Sequence, residues 1–269
     1  MTSDGGGGGA VANPFDEVIE AIRSAGYHNH RLEEHSDLVS AGVFRDLLER
    51  CPQINADYRS GHVARWYNVP APGARGRRVD LFIGEPGPNG ECDVRQARIC
   101  VENKSVITAH RNKTNRLDDL DEVVRGIHRV KPEAIIIATV LVGTALTVLN
   151  VPDHVRKQYR NNPDLFDSEV LPRLSTGDQS LWQDFESAVS RNRVNDAQKT
   201  IDAFRTLPTR APGHTHVLGY DFVLLVPVFV DNVNPPRLER QNAFGINIDA
   251  EYQRMLESIC RAYEARWHL

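Results

Sequence analysis

Two acidic residues and one lysine in the first half of the chain have the types and spacing needed to hydrolyse a phosphate ester. Asp80 interrupts the apolar run Val79–Ile83, and Glu102 and Lys104 follow the apolar run Ala97–Val101. On an extended strand residues two apart share a face, so Glu102 and Lys104 are expected to point the same way. Two carboxylates on a rigid support can hold magnesium, which prefers oxygen ligands and keeps several waters. An adjacent ammonium group could orient the attacking water and balance the carboxylates.

The position of these residues is more informative than the motif itself. About one Glu-x-Lys triplet is expected by chance in a chain of this size. An acid inside one apolar run and a charged pair at the end of another are unusual, because an unpaired carboxylate in a buried strand is costly. The alternative is that Asp80, Glu102 and Lys104 form an internal salt bridge or a solvated hairpin face, as structural ion pairs also do.

The surrounding pattern predicts a mixed α/β fold that would position these residues. Apolar residues at helical spacing, together with start and stop residues, predict helices at about 14–25, 36–50, 116–129, 178–190, 195–207 and from 249 onward. Strands are predicted at 79–83, 97–101, 134–142 and 220–230, and the first two are joined by the Gly- and Pro-rich connection Gly84–Gly90. The run Ala134–Val142 is too apolar for a half-exposed strand, so it should be central and covered on both sides.

The composition is that of an ordinary globular protein and by itself indicates no function. Of the 269 residues, 41% are hydrophobic and 25% are charged, which suffices for one sizeable core or two modest domains. A formal net charge of −4 lacks the basic excess of avid nucleic-acid binders, but local clusters of Arg and Lys matter more than the sum. No apolar run reaches the roughly 18 residues of a membrane span. The four cysteines are scattered without C-x-x-C spacing, which fits a reducing cytoplasm.

The domain organisation follows from the same pattern. Residues 1–12 contain the run Gly5–Gly9 and no secretion signal, so they are expected to form a disordered leader. Residues 13–269 show no repeat and no clear linker and are expected to form one domain. Within it, the catalytic core should span about 58–145, and a helical insertion about 151–210.

The placement of Asp80, Glu102 and Lys104 resembles the PD-(D/E)xK nuclease superfamily, which includes many type II restriction endonucleases. In that family an acid lies on one strand and an acid-x-Lys triplet on the next; Asp80, Glu102 and Lys104 match these positions, whereas Val79 replaces the proline. The resemblance implies a restriction-endonuclease-like mixed central sheet flanked by helices, Mg²⁺, double-stranded DNA and a homodimer. It also implies an acid from an early helix, for which Glu34 and Glu49 are both candidates.

Basic and amide side chains around this motif are candidates for DNA contact. The segment after Lys104 could grip phosphates through its charges and read base edges through its amides; a solvated loop is the alternative. A second basic group with interleaved aromatic residues precedes Asp80, and Arg237–Asn242 is a weaker third candidate. The predicted DNA-binding residues are Arg77, Arg78, Ser105, His110, Arg111, Asn112, Lys113, Asn115 and Arg116; the basic group upstream also contains Arg59, Arg65 and Arg75 with Trp66 and Tyr67.

Other apparent motifs are weaker. His28–His30 spells HNH, but that nuclease motif needs its residues dispersed, and Glu33, Glu34 and His35 fit a solvated helix start better than a metal site. His214 and His216 could share a strand face as zinc ligands but have no third ligand in local spacing. The sequence contains neither G-x-x-x-x-G-K-[ST] nor G-x-S-x-G.

Three functions therefore remain open. The sequence favours a magnesium-dependent DNA endonuclease of a type II restriction system. The alternatives are a repair, recombination or modified-DNA nuclease of the same fold, or a catalytically inactive DNA-binding module.

Overall fold

A six-stranded mixed sheet lies at the centre of the structure, a computed structural model that describes residues 13–25, 33–74, 76–107, 110–149, 164, 166–170, 172–173, 176–184, 189–240 and 243–268. Its strands are β1 (Ala64–Pro70), β2 (Arg78–Pro86), β3 (Cys92–Val106), β4 (Ile135–Gly143), β7 (Phe222–Phe229) and β8 (Arg237–Leu238). They lie in the order β1-β2-β3-β4-β7-β8. A separate two-stranded sheet contains β5 (Thr147–Leu149) and β6 (Val189–Arg191).

The chain enters this sheet as an antiparallel meander and then changes direction. Strands β1, β2 and β3 pair antiparallel in sequence. The connection from β3 to β4 contains α4 (Lys113–Val130), and β4 lies parallel to β3. Strand β7 is parallel to β4, and the short β8 closes the sheet antiparallel to β7. The carboxyl ends of β3, β4 and β7 therefore lie at the same edge of the sheet, and Glu102 and Lys104, in the last third of β3, pair with Ala138 and Val140 of β4.

Helices cover both faces of the sheet. They are α1 (Pro14–Ala25), α2 (Glu33–Arg50), α3 (Pro52–Ser60), α4, α5 (Leu181–Asp184), α6 (Asp196–Arg205) and α7 (Ile248–Trp267), with short 3-10 turns at His110–Asn112 and Ala243–Gly245. On one face α2 contacts β2, β3 and α7, and on the other α4 contacts β3 and α6. The predicted α/β class, with a mixed sheet flanked by helices, is confirmed. No helix in the described part of the chain is both long and apolar enough to cross a membrane.

Strand β4 explains why the sheet needs both helical layers. It lies between β3 and β7, and all but one of its nine residues are buried. A strand that is apolar on both faces is stable only where both faces are covered. The prediction of a central strand at 134–142 is therefore confirmed to within one residue at each end.

Two stretches differ from the sequence-based expectation. The predicted helix at 36–50 ends at Arg50 as expected, but Pro52 begins a further helix, α3, because proline is favoured at the first position of a helix. Within the described part of the predicted helix at 178–190, α5 covers Leu181–Asp184 and β6 begins at Val189. The expected leader 1–12 and residues 151–163 of the expected insertion lie outside the described residues.

A disulfide joins two of the four cysteines. Cys51, at the junction of α2 and α3, is bonded to Cys260 of α7, with a Cα–Cα distance of 5.4 Å across a sequence separation of 209. Cys92 and Cys100 are free thiols. The absence of C-x-x-C spacing in the sequence is therefore no argument for a reducing compartment, because the fold brings two distant cysteines into bonding geometry.

Candidate active site

Asp80 lies where β2 and β3 separate. The last paired residues at this end of the two strands are Leu81 and Val101. Beyond them, the Asp80 carboxylate accepts a hydrogen bond of 2.6 Å from the backbone N–H of Asn103. The side chain thus occupies the fork between the strands. Burial raises the pKa of Asp80, while the Asn103 hydrogen bond and the charge of Lys104 partly offset that rise.

Glu102 and Lys104 contact each other on β3. The Lys104 Nζ atom donates to Oε1 of Glu102, as the shared strand face predicts. The Glu102 side chain is 2% exposed and that of Lys104 is 15% exposed. The other carboxylate oxygen, Oε2 of Glu102, is buried and has no hydrogen-bond partner among the described residues. Half of this buried carboxylate is therefore unsatisfied.

The charges of the three residues act on one another. Burial raises the pKa of Glu102 to about 7, although the Lys104 ammonium opposes the shift. The Asp80 carboxylate raises it further, and so does Asp119 of α4. Two acids and an amine thus share one region at the carboxyl end of β3, with Glu102 poised to exchange a proton near neutral pH.

The residue between Glu102 and Lys104 attaches this region to α2. The side-chain amide of Asn103 points to the opposite face and donates to the Ser36 carbonyl (3.1 Å) and the Ser40 hydroxyl (2.9 Å). Its carbonyl oxygen accepts from the hydroxyl of Thr139 on β4 at 2.7 Å. The start of α2 is therefore fixed against the fork that holds Asp80.

The charge of an acid on α2 that sequence reasoning missed acts on this region. Asp37 is exposed at the start of α2, and its charge raises the pKa of Asp80. Of the two candidates for an acid from an early helix, Glu49 lies about 18 Å further along α2 than Asp37, beside Arg59 and Arg65 on a different surface. The side chain of Glu34 lies outside the described residues. The only signal for Asp37 in the sequence is its neighbour Ser36, whose role depends on the contact with Asn103.

The donor atoms fit a hard divalent cation. Asp80 and Glu102 supply carboxylate oxygens, and Oε2 of Glu102 lacks a protein partner. Within the described residues, no group of three or more His, Cys, Asp or Glu side chains forms a metal-binding cluster. A two-carboxylate site suits Mg²⁺, because this ion usually retains several waters, and it does not suit structural zinc, which takes four protein ligands.

Several predicted DNA-binding residues lie around this region. Arg77 and Arg116 both pair with Asp119 and are 40% and 43% exposed. Arg78 is exposed, and its Nε donates to the Asn68 carbonyl at 2.7 Å. Three further residues, Ser105, Asn112 and Asn115, are exposed, and Lys113 is half-buried. The side chain of Arg111 lies outside the described residues.

His110 is a correction to the predicted set. It is 5% exposed, and its Nδ1 lies 2.8 Å from the Thr200 hydroxyl of α6. Burial lowers the pKa of His110, so the neutral form is favoured. A buried neutral ring that is already hydrogen bonded cannot serve as a phosphate or base contact. His110 instead links the turn before α4 to α6.

The other basic groups are mostly engaged elsewhere. Arg65 stacks 4.6 Å over the Phe44 ring, and Trp66 packs against Phe82. Arg237 lies 3.9 Å over the Phe229 ring, and Arg240 pairs with Asp16 and Asp249. Arg75, Gln241 and Asn242 lie outside the described residues. Arg65, Arg237 and Arg240 therefore contact neighbouring side chains at the surface.

The weaker sequence motifs are placed as follows. The His214 and His216 rings lie 5.9 Å apart, without a third metal ligand among the described residues. His35 is buried, and His28–His30 lie outside the described residues.

Comparison of the chain with protein-family models, with curated proteins and with solved structures gives no match in any of the three. The function must therefore be inferred from the site and from the fold that positions it.

Proposed function

We propose that this chain is a magnesium-dependent DNA endonuclease of the PD-(D/E)xK type, with Asp80, Glu102 and Lys104 at its cleavage site. The observation that carries the proposal is the buried Glu102 carboxylate: one oxygen contacts Lys104 and the other has no partner among the described residues. A buried polar atom without a partner is uncommon in native structures and is costly unless an ion or water satisfies it.

The arrangement of strands supports the same class. Asp80 lies on β2, and Glu102 and Lys104 lie on the adjacent β3. The crossover through α4 then leads to the parallel strand β4. An acid and an acid-x-Lys triplet on neighbouring strands are what the resemblance to the nuclease superfamily requires, and we therefore assign the sheet to the restriction-endonuclease-like fold.

Each residue has a distinct chemical role in this proposal. Asp80 and Glu102 hold the cation, which would supply positive charge against the charge that develops on the phosphate in the transition state. Lys104 orients the attacking water and balances the two carboxylates. Because the pKa of Glu102 is about 7 without metal, binding of the cation near neutral pH requires release of a proton from this carboxyl.

A structural ion pair is the rival explanation. A buried ion pair stabilises a fold only when its remaining lone pairs are also hydrogen bonded. The buried pair of Arg210 and Asp221 meets this condition, because Asp221 also accepts from Ile136 N–H and Arg266. Glu102 lacks such additional partners among the described residues. This contrast between two buried pairs of one protein favours the functional interpretation.

The proposed substrate is double-stranded DNA, and the proposed assembly is a homodimer. One chain contributes one set of Asp80, Glu102 and Lys104, so cutting both strands at one position calls for two chains related by a twofold axis. A type II restriction system is the favoured setting. Repair of branched DNA or restriction of modified DNA would use the same chemistry, and trials with methylated and branched substrates separate these alternatives.

The test is incubation of the protein with plasmid and phage DNA and about 10 mM Mg²⁺, followed by sequencing of the DNA ends that cleavage produces. Wild-type protein is expected to cut at discrete sites, and Glu102→Gln and Lys104→Met are expected to be inactive but folded. Glu85→Gln, on the same hairpin, and Lys131→Met are the matched controls and should retain activity. Equal activity of Glu102→Gln and wild type would refute the site, and no cleavage of any DNA by wild type would refute the function.

A further inference from the structure

Asp119 of α4 is a buried carboxylate that the proposed cleavage chemistry does not use. Its side chain is 5% exposed, and each of its oxygens pairs with a different arginine. Oδ1 lies 2.5 Å from Nη2 of Arg77, and Oδ2 lies 3.0 Å from Nη1 of Arg116. Two guanidinium groups are thereby held side by side by one fixed acid.

The two arginines come from different elements and remain accessible. Arg77 directly precedes β2 and lies three residues before Asp80, whereas Arg116 lies in the first turn of α4. Their side chains are 40% and 43% exposed. A guanidinium group has five N–H donors, and Asp119 occupies only part of that set on each. The remaining donors can meet a ligand from solvent.

The location and charge of the pair suit an anion. Asp119 lies close enough to the candidate site for its charge to act on Glu102. Arg77 has a second contact with Glu122, 3.4 Å away, but that glutamate is 53% exposed, and exposed ion pairs of this kind contribute little. Arginine forks match the oxygens of a phosphate better than lysine does.

We propose that Asp119 is a positioning residue that sets Arg77 and Arg116 as a two-sided clamp for a DNA backbone phosphate next to the cleavage site. This inference rests on the proposed nuclease function. It predicts that removal of the Asp119 charge weakens DNA binding, whereas the change in net charge alone would strengthen it. Removal of the Asp119 charge makes the protein more positive, which by itself would tighten DNA binding; loss of positioning weakens it.

The experiment measures how tightly the protein binds a fluorescent DNA duplex of about 30 base pairs. Ca²⁺ replaces Mg²⁺, and the dissociation constant is measured at several salt concentrations. Asp119→Asn is compared with Asp118→Asn, which removes the same charge from an exposed neighbour on α4. We expect Asp119→Asn to bind about 10-fold more weakly and to lose about one unit of the salt slope, as loss of one phosphate contact does. Asp118→Asn should bind as tightly as wild type or more tightly.

A merely structural Asp119 would lower the melting temperature but leave the affinity and salt slope of the folded protein unchanged. Asp119→Asn and Asp118→Asn with equal affinities would therefore overturn the clamp. If wild type binds no duplex at all, the nuclease proposal fails and the clamp fails with it. The two failures are distinguishable, because equal affinities of variants that do bind duplex DNA overturn the clamp alone.

A second variant covers the case in which Asp119→Asn does not fold. Arg116→Lys keeps the charge but loses the planar fork that both Asp119 and a phosphate require. It should bind duplex DNA roughly 5-fold more weakly than wild type. Wild-type affinity in Arg116→Lys would overturn the clamp.

Discussion

Replacement of Glu102 by glutamine should change how the stability of the protein depends on pH. Glu102 is 1% exposed, and burial raises its pKa from the ordinary value of 4.5 to about 7. Between these two pH values the folded protein holds a proton on Glu102 that the unfolded chain has released. The contribution of Glu102 to stability is therefore fully present below about pH 4.5 and is lost as the pH rises through about 7. Glutamine has a similar shape and cannot ionise.

The size of this effect follows from the pKa difference. Each unit of pKa shift corresponds to about 1.4 kcal/mol, so the wild-type protein should lose about 3 kcal/mol of unfolding free energy, relative to Glu102→Gln, between pH 4.5 and pH 8. For a protein of this length, a loss of about 3 kcal/mol lowers the melting temperature of wild type, relative to that of Glu102→Gln, by about 6–12 °C between pH 4.5 and pH 8. Titrating groups that do not interact with Glu102 are shared by the two proteins and cancel in the comparison.

The assay is urea denaturation of both proteins, without metal, at pH 5, 6, 7 and 8. The difference in unfolding free energy should move steadily in favour of Glu102→Gln as the pH rises. Addition of Mg²⁺ at pH 8 should then stabilise wild type by about 2.7 kcal/mol at 100 times its dissociation constant, and stabilise Glu102→Gln, which binds the ion at least about tenfold more weakly, by no more than about 1.4 kcal/mol. Parallel pH curves, within about 1 kcal/mol, would refute the reasoning, because they would mean that Glu102 has an ordinary pKa.

Three other outcomes are expected. Because binding of Mg²⁺ requires ionised Glu102, whose pKa is about 7, the half-saturating Mg²⁺ concentration for cleavage should fall nearly tenfold per pH unit from pH 5.5 to 6.5; a constant value would contradict the assignment. Asp37→Asn should lower the single-turnover cleavage rate at least about tenfold without changing the melting temperature, since this side chain is exposed and its charge acts on Asp80; an unchanged rate would exclude Asp37 from the site. The double variant Cys51→Ser/Cys260→Ser should lose about 2–5 kcal/mol of unfolding free energy without reductant, and reduction should destabilise wild type by a similar amount; insensitivity of wild type to reductant would indicate free thiols.

The sequence predicts best those features that depend on local pattern. The continuous apolar run at 134–142 predicts the central strand β4, because only a strand covered on both faces has that composition. The two-residue period of a strand places Glu102 and Lys104 on one face, and the structure brings them into contact. The helix predicted at 36–50 ends at Arg50 as expected, but Pro52 begins a further helix, α3.

The features that the sequence does not reveal depend on contacts between distant residues. His110 lies in a polar segment that is typical of a solvated loop, but Thr200 and α6 bury it from 90 positions away. The charge of Asp37 acts on Asp80 from α2, whose start is attached to β3 through the side chain of Asn103. Cys51 and Cys260 are 209 positions apart, and no local spacing indicates their pairing.

The central claim is that Asp80 and Glu102 together hold one divalent cation. Its most direct test is titration of the protein with Mn²⁺, a paramagnetic substitute for Mg²⁺, with free metal measured by electron paramagnetic resonance at pH 8. Wild type should bind one Mn²⁺ ion per chain. Asp80→Asn and Glu102→Gln should each weaken that binding at least about tenfold, whereas Glu85→Gln should not. Equal Mn²⁺ binding by wild type and Glu102→Gln, or none by wild type, would contradict the account.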